Sequence, residues 1–239
     1  PTIVGTLWLV GVSLLIATPI GVLAAIYLNE YAPANWMTRF IHLAIVNLAG
    51  VPSIVHALFG VGAFVLFLRL GTSILSASLT LAVMTLPVII ASTREALAAV
   101  PMSFREACWV LGASRWQTIR HVVLPNSIQG ILTGVILSLS RVIGETAPLA
   151  VLGAPAQLSY APGSIEGVGD ALQHPSKILQ APFDQFTTIP LQIYGWINET
   201  KPVFEHVASA GIVVLLAVLL MMNGAAIFIR QRFQKSIRW

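Results

Sequence analysis

Charged side chains are scarce in this chain. Asp, Glu, Lys and Arg together make up 9% of it, where soluble domains carry about 25%. That excludes an ordinary water-soluble domain. Cysteine occurs once, as Cys108, which excludes an intrachain disulfide. The five histidines are scattered, with neither an HExxH motif nor a paired ligand spacing, so no metal site is expected. The sequence contains no GxxxxGK[ST] loop to cradle nucleotide phosphates and no Ser–Lys or Asp–Asp set of an intramembrane hydrolase. Internal repeats and low-complexity tracts are missing too. What is abundant is apolar surface: 56% of residues are hydrophobic and the mean hydropathy is +0.85. The net charge of +4 comes from basic residues flanking hydrophobic runs, where they set membrane topology, and is no nucleic-acid signature.

A bilayer-spanning helix needs about 20 apolar residues, and five passages satisfy this. Thr2 to Leu28 is the first, with a kink expected at Pro19 and Gly21. Phe40 to Leu68 is too long for one straight helix and is interrupted at Gly50-Val51-Pro52. It reads as a helix, a break and a second helix N-capped by Ser53. Ile74 to Ala91, kinked near Pro87, is the third; Asn126 to Ile143 the fourth; Val203 to Ile229 the fifth. The chain begins at Pro1 and enters its first apolar run with no basic segment before it, so that run reads as a span and not as a signal peptide.

Charge placement orients these passages. With five alternating spans, Arg39, the island arginines Arg94, Arg105, Arg115 and Arg120, and the basic tail 230–239 with Arg230, Arg232, Lys235 and Arg238 share one side. That side is expected to be the cytoplasm, so the C-terminus is cytoplasmic. The other side holds Arg69, Lys177 and Lys201. The start of the visible chain then lies outside, and a sixth span is expected upstream. Residues 153–202 form an external loop with a small acidic excess: Glu166, Asp170, Asp184 and Glu199 against Lys177 and Lys201. Within it, Phe183 to Ile197 is apolar enough to lie in the membrane interface or pack on the spans.

Two polar features interrupt the apolar pattern. The first is an island from Arg94 to Pro125, REALAAVPMSFREACWVLGASRWQTIRHVVLP. It reads as two short helices. Ser103 is the expected N-cap of the first, with Glu106 completing a capping box, and Gly112 ends it. Ser114 opens the second, and Pro125 is expected to stop it and start the next span. The small residues around Gly112 let another surface approach closely.

The second feature is Arg141 and Glu145 within or just beyond the fourth span. A charge at the bilayer centre costs roughly 2.5–3.5 kcal/mol on insertion scales. Spacing of four lets the two pair on one helix face, and Gly144 and Pro148 predict a break there. Two readings stay open: a structural ion pair, or a translocation path built from a broken helix and intramembrane charge. On a path, the planar fork of Arg141 suits an oxyanion; Ser138, Ser140 and Thr146 nearby are either added donors or, as is ordinary in membrane helices, hydroxyls that satisfy backbone carbonyls. Elsewhere, Glu30 reads as a solvated charge after the first span and His56 as hydrogen-bonded between helices. Trp8, Trp36, Trp109 and Trp116 read as interfacial anchors or packing residues.

The order Glu106-Ala107-Cys108, Gly112, Ile119, Leu124-Pro125 resembles the EAA loop of ABC-importer permeases. Arg141-Val-Ile-Gly-Glu-Thr-Ala-Pro-Leu149 resembles the phosphate-importer permeases within that group, and Tyr27-Leu-Asn-Glu-Tyr31 and Gly50-Val-Pro-Ser-Ile-Val55 support it. The GETAP form differs from the GETMA-like sequence of the companion permease and from the GEFGA of sulfate and molybdate permeases. Cys108 stands where alanine is frequent. The resemblance implies an all-α, type I ABC-importer (MetI-like) transmembrane domain covering residues 1–239, with residues 103–125 as the loop that docks on the ATPase. Glu106, Ala107, Cys108, Gly112, Ala113 and Ser114 would make that contact, and Arg141, Glu145, Thr146 and Ser138 would line the substrate pathway. Implied partners are a PstC-like permease, a PstB-like ATPase dimer and a PstS-like phosphate-binding protein in a bacterial inner membrane. ATP and magnesium would belong to the ATPase, with no cofactor on this chain. The alternatives carried alongside are a permease for sulfate or molybdate, and a secondary transporter that needs no ATPase.

Overall fold

A computed structural model describes residues 1–155, 158, 160–164, 175–201 and 203–236. Glu166 and Asp170 of the expected acidic loop, and Arg238 of the tail, lie outside the described residues. Helix α1 (Thr2–Ile26) continues as a π-helical stretch, Tyr27–Tyr31. Then come α2 (Trp36–Ala49), α3 (Ser53–Gly60, extended by π-helical Val61–Phe67), α4 (Ile74–Ala98), α5 (Met102–Val110), α6 (Arg115–Thr118), α7 (Leu124–Gly144) and α8 (Ala147–Val151). The chain ends in α9 (Pro175–Gln180), α10 (Ile189–Ile197) and α11 (Val203–Ser236). No strand occurs among the described residues.

Four helical rods are long and apolar enough to cross a membrane: Thr2–Tyr31, Ile74–Ala98, Arg115–Gly144 and Val203–Arg232. The pair α2 and α3 bends by 104° at Gly50–Pro52 and makes a fifth passage if counted as one broken span. The expected helix, break and second helix are all present.

Helix α4 is the centre of the bundle. Of its most apolar window 67% is buried, against 0% for the last span; Leu215, Leu219, Met222 and Ala226 of α11 pack on the core, and its outer apolar face is left for lipid or a partner. The core joins Leu9 and Val10 of α1, Ile74, Leu81 and Met84 of α4, Leu139, Val142 and Ile143 of α7, Leu149 of α8, and Phe186. Ser73 caps α4 in a buried capping box with Ser76. Small residues bring the rods together, as they do between membrane helices. A Cβ on Gly130 would collide with that of Ala96, and one on Gly134 with the Ser92 side chain. Gly130→Leu is therefore expected to destabilise the bundle by about 1–3 kcal/mol, seen as a lower unfolding midpoint in detergent. Gly11→Ala, whose Cβ would meet nothing within 4 Å, is expected to leave the midpoint unchanged.

The apolar segment expected to pack on the spans does so. Phe186, Ile189, Leu191 and Ile193 are buried. The segment is tied by hydrogen bonds from Ile189 N–H to Thr6 Oγ1 (3.1 Å) and from Ile74 N–H to the Asp184 carbonyl (3.1 Å).

Several local expectations are corrected. Helix α3 begins at Ser53 itself, after an extended Pro52 with no side-chain cap. Helix α5 begins after Pro101 (φ −56°, ψ 143°), so Ser103 sits inside its first turn and makes no capping box with Glu106. The proline fixes an extended backbone two residues earlier than the serine could. The capping box of the island belongs to Ser114 and Gln117 instead. Pro125 does not stop the second island helix: α6, a π-helical stretch Ile119–Val123 and α7 form one rod, Arg115–Gly144. The proline falls where the wider turn hands over to α-helix, so its missing N–H breaks no regular ladder. The basic residues of the tail begin within α11, and Arg230 donates to Thr133 Oγ1 (3.1 Å) on α7.

Candidate functional site

Two regions carry the polar chemistry. The first is the break after α7. The helix ends at Gly144, Glu145 is extended (φ −80°, ψ 114°), and Thr146 precedes the short α8, which has Pro148 in its first turn. Arg141 Nε lies 3.6 Å from Glu145 Oε1, with 33% and 20% of the two side chains exposed. This is a loose, single-atom pairing on the expected i, i+4 spacing. It engages only the Nε edge, leaving the outer fork of the guanidinium, which suits bidentate binding of an oxyanion.

The neighbouring hydroxyls divide. Thr146 is half-buried at the break beside the pair. Ser138 is fully buried and its Oγ meets no partner among the described residues, so the structure does not bring it to the exposed edge with Arg141. Ser140 donates to the Ile136 carbonyl (3.1 Å) and to Asn223 Oδ1 of α11 (2.9 Å). His56, buried on α3, holds its Nδ1 3.3 Å from the Pro52 carbonyl of its own helix start. Among the described residues the expected interhelical bond is not made, because the break at Gly50–Pro52 exposes that carbonyl one turn below the ring.

The second region is the island. Helix α5 ends in a Schellman motif: Gly112 N–H bonds the Trp109 carbonyl (2.9 Å) and Ala113 N–H the Cys108 carbonyl (3.0 Å). Gly112 has φ +83°, the left-handed conformation glycine accepts without penalty. Glu106, Ala107, Gly112 and Ser114 are exposed there, while Cys108 and Ala113 are half-buried. Val110 and Leu111 are 88% and 86% exposed. Apolar residues displayed so fully around a rigid turn are a contact surface for a protein or a membrane.

Glu30, expected to be solvated, is not. It lies 11% exposed in an ion pair with Arg105 of α5, at 3.0 Å. Sequence reasoning missed this pair because 75 residues separate the partners. The one signal was two opposite charges on the same predicted side. No group of three or more His, Cys, Asp or Glu that could hold a metal occurs among the described residues.

Comparison with known proteins bears on both regions. The family model described as "Binding-protein-dependent transport system inner membrane component" matches residues 17–238. The phosphate transport system permease protein PstA 1 of Mycobacterium tuberculosis is 41% identical over 148 residues, covering 62% of this chain and 48% of that protein. The phosphate transport system permease protein PstA of Yersinia pestis is 31% identical over 211 residues, covering 87% and 64%. The chain thus spans about half the length of the first of these curated relatives. Among solved structures, an inward-facing MetNI methionine ABC transporter superposes with a TM-score of 0.68 over 96% of this chain and 93% of that one, at 16% identity. That likeness concerns the fold.

Proposed function

This chain belongs to the binding-protein-dependent transport system inner membrane component family, and we propose that it is a PstA-type permease subunit of an ATP-driven importer of inorganic phosphate. The observation that carries the substrate is the half-engaged guanidinium of Arg141 at a break in a span, in a chain similar to phosphate permeases over most of its length.

In this reading one copy is half of a pore and pairs with a PstC-like permease. The exposed apolar face of α11 supports such an interface. Two PstB-like ATPases sit below, holding ATP and magnesium, and a PstS-like binding protein delivers phosphate from outside. Glu106, Ala107, Cys108, Gly112, Ala113 and Ser114 form the docking surface on the ATPase. Arg141, Glu145, Thr146 and Ser138 belong to the substrate pathway, with Ser138 as a buried hydroxyl behind it. The island and the C-terminus face the bacterial cytoplasm, following the excess of arginine on that side.

ATP binding closes the ATPase dimer and draws the docking helices together, and the spans open outward. Phosphate released from the binding protein meets the free fork of Arg141, which donates in-plane N–H groups to two of its oxygens. Glu145 holds the Nε edge and so keeps the fork aimed. Hydrolysis returns the inward-facing state. In proteoliposomes holding the four kinds of subunit, labelled phosphate is expected to accumulate only with ATP on the ATPase side. Accumulation driven by an ion gradient without the ATPases would instead favour a secondary transporter.

A further inference from the structure

The docking helix α5 lies at the edge of the bundle, against the start of the Arg115–Gly144 rod. None of its residues is buried, Arg105 and Cys108 are half-buried, and the rest are exposed. Arg105 ties it to two of the spans. Arg105 Nη1 lies 3.0 Å from Glu30 Oε1 and 3.2 Å from Oε2, on the π-helical end of the first span. Its Nη2 donates to the carbonyl of Leu97 (2.8 Å) in the last turn of α4. Asn29 Nδ2 donates to Glu30 Oε1 (2.8 Å), fixing the carboxylate. Both charged side chains are only 11% exposed, so solvent screens the pair weakly.

We propose that Arg105 is the mechanical link of this permease, passing movement of α5 to the first span and to α4 together. This rests on the reading of the island as the ATPase-docking surface. An apolar contact is non-directional and would let α5 slide. Charge-assisted hydrogen bonds have fixed lengths and angles, so this link transmits a pull as well as a push. It joins one arginine to two rods, one of them the most buried helix of the bundle. Arg105 precedes Glu106, and in an α-helix adjacent residues point about 100° apart. One residue can then face the ATPase while its neighbour holds the spans.

The test compares wild type, Glu30→Gln, Arg105→Gln and Arg105→Lys in the complete transporter in proteoliposomes. It reads binding-protein-stimulated ATP hydrolysis and labelled phosphate uptake together. In the two glutamine variants hydrolysis is expected to stay within about twofold of wild type while phosphate carried per ATP falls about tenfold or more. Arg105→Lys keeps the charge pair but cannot also reach Leu97, and is expected to fall between them and wild type. Should a glutamine variant fail to assemble, the lysine variant decides. An unchanged transport-to-hydrolysis ratio in the variants that assemble, whether or not both rates drop, overturns the link and leaves Arg105 a structural staple. If the wild-type complex carries sulfate and not phosphate, the substrate reading fails alone, and the same ratio is measured with sulfate.

Discussion

Arg141→Gln is expected to lower ATP-driven phosphate uptake about a hundredfold or more while the complex still assembles. The guanidinium meets Glu145 through one loose contact at 3.6 Å, so its removal takes little from the fold. What it takes from a bound oxyanion is larger. Charge-assisted hydrogen bonds contribute about 1.5–3 kcal/mol each, and loss of a bidentate pair near 3 kcal/mol corresponds to roughly a hundredfold. Arg141→Lys tests geometry apart from charge. Lysine keeps the positive charge but presents no planar fork, so it is expected to recover part of the uptake with a weaker apparent affinity. Labelled phosphate uptake in proteoliposomes, with unfolding midpoints measured in parallel, reads both. Normal transport by Arg141→Gln would return the pair to a structural role.

The second large effect belongs to Gly112. A Cβ there would meet nothing within 4 Å, yet φ is +83°. The penalty of a substitution is therefore conformational and not steric. For an ordinary L-residue the left-handed region costs about 1–2 kcal/mol, and valine, branched at Cβ, is worse placed than alanine. Gly112→Val is expected to undo the Schellman turn, swing α5 away from the rod that starts at Arg115, and reduce both stimulated hydrolysis and uptake about tenfold. The bundle should be untouched, so helix content and unfolding midpoint are expected to match wild type. Gly112→Asn, which tolerates this conformation, is expected to retain most activity. Equal loss in the asparagine and valine variants would show that the turn conformation is not what matters.

How much of this was legible in the sequence follows from the range over which each signal acts. The spans were readable because about 20 apolar residues are a local fact of the chain, and Gly112 because a helix stop is written in one residue. The break at Gly144–Thr146 was readable for the same reason: a glycine and a proline bracket Glu145. Cap positions failed where a proline intervened. Pro52 and Pro101 set the backbone before Ser53 and Ser103 could act as caps, while Ser114, with no proline beside it, caps as expected. Pro125 failed in the opposite sense, since the π-helical stretch before it lets the helix pass through.

Partners distant in the chain were not legible. Glu30 finds Arg105, Arg230 finds Thr133, and Ser140 finds Asn223. Each contact depends on how the rods cross, which apolar periodicity does not encode residue by residue. The burial of Ser138 against the exposure of Arg141, three positions later, is of the same kind. Local pattern put both near the break, and the packing of α7 in the bundle separated them.

The most direct test of the account is competition at the transport step. Purified transporter containing this chain would be given labelled phosphate with binding protein and ATP, and challenged with excess unlabelled phosphate, sulfate or molybdate. The account predicts that unlabelled phosphate alone suppresses uptake, and that Arg141→Gln abolishes the suppressible component. Suppression by sulfate or molybdate as strong as that by phosphate, with uptake surviving in Arg141→Gln, would contradict it.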